Sequence, residues 1–128
     1  MTELHILALS GLLACAQLVA MAVPVNRQLG PDWTSGPRDQ PRALSGVAGR
    51  MKRAYENQVE GLVLFAVAAL CVTLLDASSP LTRGAAAVYL LARVIYIPLY
   101  AFGVPIWRSA IWGVGFFATI LMLITALV

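Results

Sequence analysis

Between Leu4 and Val23 the chain runs twenty residues without an Asp, Glu, Lys or Arg. At about 1.5 Å per helical residue, such a run crosses the roughly 30 Å hydrocarbon core of a bilayer. Three more apolar runs follow, Ala54–Leu75, Leu81–Phe102 and Trp107–Val128. In lipid, where no water can satisfy an open backbone, runs of this kind are stable as helices. Composition agrees, with 60% of residues hydrophobic and 12% charged. A soluble domain carries about 25% charged residues, and half of that cannot coat a chain of this size. The apolar excess also excludes disorder. The expectation is an all-α membrane protein: one domain, a four-transmembrane-helix bundle with helices at about 4–24, 51–76, 81–102 and 106–128. Ala20-Met21-Ala22 resembles a signal-peptidase site, but Glu3 stands before the apolar run with no Lys or Arg, so a retained helix is predicted.

Residues 25–50 break the apolar pattern with repeated Gly and Pro and carry Arg27, Arg38, Arg42 and Arg50. So long a loop is either a solvated, topology-setting segment or a functional one. Lys52 and Arg53 follow, whereas the turn near residue 80 holds only Arg83. By the positive-inside rule the long basic loop is cytoplasmic and both termini lie on the non-cytoplasmic side. The same rule accounts for the net charge of +3 without a nucleic-acid partner. Eight Arg against one Lys hint at a GC-rich bacterial genome, hence an inner-membrane location. Cys15 and Cys71 fall at different depths and are expected to stay reduced. The single His5 has no carboxylate partners nearby, and no metal constellation is visible.

Polar residues inside spans mark pairings or sites. Arg50, Arg53, Asn57 and Glu60 fall on one helical stripe of the second span; Tyr89, Arg93, Tyr96 and Tyr100 fall on one stripe of the third. Both stripes run toward the cytoplasmic ends of their helices. Glu60 lies about 10 Å deeper than Arg53, and Arg93 about 15 Å from the Phe102 end. A Glu60–Arg93 ion pair is therefore expected, either holding the bundle together or serving a site. With Arg108, these residues form a set suited to a small ligand that carries carboxylates and an amine. Arg forks bind carboxylates bidentately, and Glu neutralises an ammonium.

Arg53-Ala54-Tyr55-Glu56-Asn57-Gln58-Val59-Glu60, with Phe65 five positions on, resembles the R-A-x-x-N-x-x-E signature of the MAPEG family, membrane-associated proteins in eicosanoid and glutathione metabolism. Ala92-Arg93-Val94-Ile95-Tyr96-Ile97-Pro98-Leu99-Tyr100 is similar to that family's A-R-x-x-Y-x-x-x-Y segment, and Arg108 stands about where it places another glutathione-contacting Arg. The resemblance implies a homotrimer with glutathione as cosubstrate, bent into sites between subunits at the cytoplasmic face. It assigns Arg53, Asn57, Glu60, Arg93, Tyr96, Tyr100 and Arg108 to glutathione binding or its support. Arg27, near the end of the first helix, is the nearest candidate for the family's thiolate-activating Arg, with Arg108 beside it in the catalytic role. Three positions depart from the pattern: Gly61 replaces an aromatic contact, Val63 replaces a common proline, and Glu56 adds a carboxylate.

The implied activity is a glutathione-dependent transferase or peroxidase acting on lipophilic electrophiles that arrive from the bilayer. A guanidinium near the thiol would favour its thiolate. The alternative is a non-catalytic member of the same fold, an accessory or assembly subunit of a larger membrane complex. A small multidrug exporter is disfavoured, because its first-helix Glu is absent here and Gln17 is the polar residue of that span.

Overall fold

A computed structural model describes residues 1–128. Its helices are α1 (Glu3–Leu29), α2 (Pro31–Ser35), α3 (Gly46–Leu74), α4 (Pro80–Ala101) and α5 (Pro105–Leu127). α1, α3, α4 and α5 are each long and apolar enough to cross a membrane. They pack as an up-and-down bundle in which α3 and α4 both touch every other long helix, while α1 and α5 do not touch each other. The outward faces are apolar. Leu12, Val19, Leu91 and Phe117 are all more than 60% exposed, as side chains bathed in lipid must be.

The interior is built from small residues. Ala68, Ala69, Ala85, Ala86 and Ala118 surround Ile6, Phe65, Val72, Tyr89 and Met122 in one cluster. Small side chains let helix backbones approach closely, which is how van der Waals packing holds helices together in lipid. Phe65 and Tyr89 stack with ring centroids 4.0 Å apart and planes 8° from parallel. Gly115 lies beneath the same Tyr89 ring, where an added Cβ would rest 3.6 Å from it.

The helix ends explain the order of the chain. Ser79 and Thr82 cap α4 reciprocally: Thr82 N donates to Ser79 Oγ at 3.2 Å, and Ser79 N donates to Thr82 Oγ1 at 2.8 Å. Thr2 caps α1 with His5 in the same way. At this end Glu3 is 1% exposed and accepts from Thr82 Oγ1 at 2.5 Å and from Ser78 Oγ at 3.0 Å, tying α1 to the start of α4. At the other end Arg50 Nε donates to the Ala101 carbonyl at 2.9 Å, tying α3 to the last turn of α4.

The segment between the first two spans differs from its sequence reading as a loop over about 25–50. α1 continues through Pro24 to Leu29, and α3 begins at Gly46, leaving residues 36–45 as the non-helical stretch beyond α2. Pro24 removes one backbone donor, yet its φ is compatible with a helix and α1 continues past it to Leu29. Gly30, at φ 87°, is the residue that turns the chain out of α1. Side chains then hold the stretch to the helices. Gln28 exchanges two hydrogen bonds with the backbone of Ser45, Arg42 donates to the Leu29 carbonyl at 2.8 Å, and Trp33 Nε1 donates to Gln40 O at 2.7 Å. Pro98 likewise lies inside α4 without ending it. Cys15 and Cys71 are both free thiols.

Candidate functional site

The stripe residues of α3 and α4 meet the first turns of α5 at the end of the bundle opposite Glu3. There a cavity of about 400 Å³ is lined by Arg53, Glu56, Asn57, Glu60, Tyr96, Tyr100, Arg108, Ser109 and Trp112. That volume falls within the range of about 300–1,000 Å³ common for small-molecule sites. Six of the residues singled out in the sequence are in its wall. Helical spacing brings them there: Arg53, Asn57 and Glu60 repeat at i, i+4 and i+7 on α3, and Tyr96 and Tyr100 at i and i+4 on α4.

The arginines are held by aromatic rings and hydroxyls. Arg53 Nε donates to the Tyr100 hydroxyl at 3.2 Å, and the Arg108 guanidinium carbon lies 4.6 Å from the centroid of the same ring. Tyr100 thus positions one cation from α3 and another from α5. Its ring is 5.6 Å from that of Tyr96, which is 4% exposed. Glu56 is drawn away from the arginines by an ion pair with Lys52 one turn back. That pair is the sole salt bridge in the chain, so Arg53, Arg108 and Glu60 face the cavity with no opposite charge within bonding distance.

The expected Glu60–Arg93 ion pair does not form. Arg93 instead grips Asn57, with Nη1 donating to Asn57 Oδ1 at 2.9 Å and Nη2 donating to the Asn57 carbonyl at 2.8 Å. The reason is local. Gly61 has no side chain, and a Cβ built on it would stand 2.9 Å from Arg93 Cζ. The guanidinium fills that space and meets α3 backbone before it can reach Glu60. Arg93 is 3% exposed and stands beneath the cavity rather than in its wall. Tyr89 and Tyr96 flank it, with ring centroids 5.7 and 5.3 Å from its guanidinium carbon.

Arg27 is not brought to this place. It lies exposed in the last turn of α1, which packs on α3 and α4 but does not touch α5. Three residues in the wall went unassigned to the site in the sequence, Glu56, Ser109 and Trp112. Trp112 follows Arg108 by four residues and so shares its helix face, a spacing that was legible. Ser109 sits beside Arg108 and had no comparable signal.

A family model for the MAPEG family matches residues 6–128. The chain belongs to the MAPEG family. The match covers all four membrane helices, and the four-helix membrane architecture found here is the fold of that family. Neither a curated protein nor a solved structure matches the chain. In this MAPEG protein Arg53, Asn57, Glu60, Tyr96 and Tyr100 of the family-like segments line the polar cavity, while Arg93 stands beneath it in the space that Gly61 leaves.

Proposed function

We propose that this MAPEG protein binds glutathione in the polar cavity and either joins its sulfur to a lipophilic electrophile, which takes up the proton or loses its leaving group, or reduces a lipophilic hydroperoxide to the alcohol and water as two glutathiones become the disulfide. The observation that carries the reading is the charge pattern of the cavity wall. Two guanidiniums, Arg53 and Arg108, and one carboxylate, Glu60, stand there without partners of opposite charge. Glutathione carries two carboxylates and one ammonium, the complementary set. Arg53 and Arg108 would take the carboxylates, Glu60 the ammonium, and Asn57 and Ser109 the peptide groups. Arg93 serves as a positioning residue that fixes Asn57.

The thiol chemistry needs a cation near sulfur, because a guanidinium favours the thiolate over the thiol. Arg108 is at hand in the same chain. Arg27 would contribute only from the α1 of a neighbouring copy laid over the cavity, as in a homotrimer. The non-catalytic reading draws on that same placement: without a neighbour's Arg27, the single chain offers no counterpart of the first-helix Arg that the family resemblance assigns to thiolate activation. Calorimetry on the detergent-solubilised protein tests the binding, and turnover with chlorodinitrobenzene and an organic hydroperoxide tests the chemistry. Binding with turnover supports the enzyme; binding without turnover leaves the accessory subunit. No binding at millimolar glutathione removes the reading.

A further inference from the structure

Next to the polar cavity, between α3, α4 and α5, lies a smaller chamber of about 100 Å³. Its walls include Leu64, Tyr89, Arg93, Trp112 and Phe116, and Asn57, Glu60 and Trp112 border both spaces. Two hydrogen-bonding groups in these walls have no partner in the protein, the Tyr89 hydroxyl and Arg93 Nε. Both residues are buried, at 2% and 3% exposure, and they stand one turn apart on one face of α4. The other two nitrogens of Arg93 are engaged by Asn57. Burial without a partner is costly, so these two groups side by side leave a place for an acceptor from outside the chain.

The walls narrow what that acceptor is. Leu64, Trp112 and Phe116 are apolar and remain 49%, 40% and 36% exposed in the single chain, on helices long and apolar enough to cross a membrane, so an apolar molecule can approach the chamber from that side. Glu60 borders it as well, and its negative charge opposes a second carboxylate. A neutral carbonyl oxygen has the two lone pairs that two donors require. The chamber is smaller than the ~150 Å³ that holds a benzene ring, so it takes the head of a chain while the tail lies in lipid.

We propose that this chamber binds the carbonyl group of a lipophilic molecule, with Tyr89 O–H and Arg93 Nε–H donating to its oxygen. The assignment of that molecule as the second substrate rests on the glutathione reading; its binding does not. Gly61 contributes by leaving Arg93 room to lie beside the chamber.

The test uses the full chain in detergent with Trp33 and Trp107 changed to Phe, so that Trp112 alone emits. 2-Nonanone should shift its emission saturably, with an affinity, referred to the concentration dissolved in the detergent micelle, about 3- to 10-fold above that of nonane, which has the same chain length but lacks an acceptor. Tyr89→Phe keeps the ring on Phe65 and should remove that advantage. Glutathione binding to the same variant, measured by calorimetry, should not change, because Tyr89 does not line the polar cavity. Equal affinity for ketone and alkane overturns the proposal with no variant needed, and so does an unchanged ketone affinity in Tyr89→Phe. Ketone binding in a protein that ignores glutathione would keep the chamber and remove the cosubstrate.

Discussion

Arg93 on α4 holds Asn57 on α3 at two points, through the side-chain oxygen at 2.9 Å and through the backbone carbonyl at 2.8 Å. A buried guanidinium is thereby satisfied by a neutral amide and a peptide group, and Glu60, three residues on from Asn57, is left for the cavity. The pairing joins the two central helices of the bundle directly beneath the candidate site.

Glu60→Gln and Arg93→Met should therefore part company. Glu60 makes no ion pair, so Glu60→Gln should leave thermal stability in detergent within about 0.5 kcal/mol of the native chain. Arg93→Met strips two charge-assisted hydrogen bonds from Asn57 and should cost about 1.5–3 kcal/mol. Equal losses in the two thermal unfolding curves would restore the ion pair.

Gly61→Ala should destabilise, against the usual gain of about 0.5–1 kcal/mol for replacing glycine inside a helix. The new methyl group meets the Arg93 guanidinium, and overpacking of a tight site costs about 1–3 kcal/mol. Gly113→Ala provides the contrast, since a Cβ there meets nothing within 4 Å. Its melting temperature should equal or slightly exceed that of the native chain.

For ligand binding, Arg53→Ala and Arg108→Ala should each weaken glutathione affinity about 10- to 150-fold, the worth of hydrogen bonds to a charged carboxylate. Arg38→Ala should do little, because Arg38 donates to the Thr34 carbonyl in the connecting segment, away from the cavity. Calorimetry of the three variants in one detergent makes the comparison.

At the opposite end, Glu3→Ala leaves Ser78 and Thr82 hydroxyls without their shared acceptor. Hydrogen bonds to a charged group contribute about 1.5–3 kcal/mol, so α1 should loosen from α4 by that order. The measurable result is faster amide exchange in the first turns of α1, with glutathione binding unaffected.

Orientation follows from charge and is open to direct labelling. With Cys15 and Cys71 replaced by Ala, a cysteine at Ser35 should resist an impermeant thiol reagent applied to intact cells and react after lysis. Labelling from outside would invert the topology.

Four membrane helices were legible in the sequence because apolar length is a local property that lipid rewards wherever the chain folds. The stripe of Arg53, Asn57 and Glu60 was legible for a similar reason: helical periodicity places residues on a face without any knowledge of neighbours. What occupies the opposite face was not. Arg93 turned to Asn57 rather than Glu60 because Gly61 opens α3 to it, and a missing side chain sends no charge signal along a sequence. In the sequence Glu3 is only the acidic residue before the first apolar run, and the fold lays it on Ser78 and Thr82, 75 and 79 positions away. Tertiary structure alone decided those partners, because a buried hydrogen bond depends on which helices pack together and at what depth.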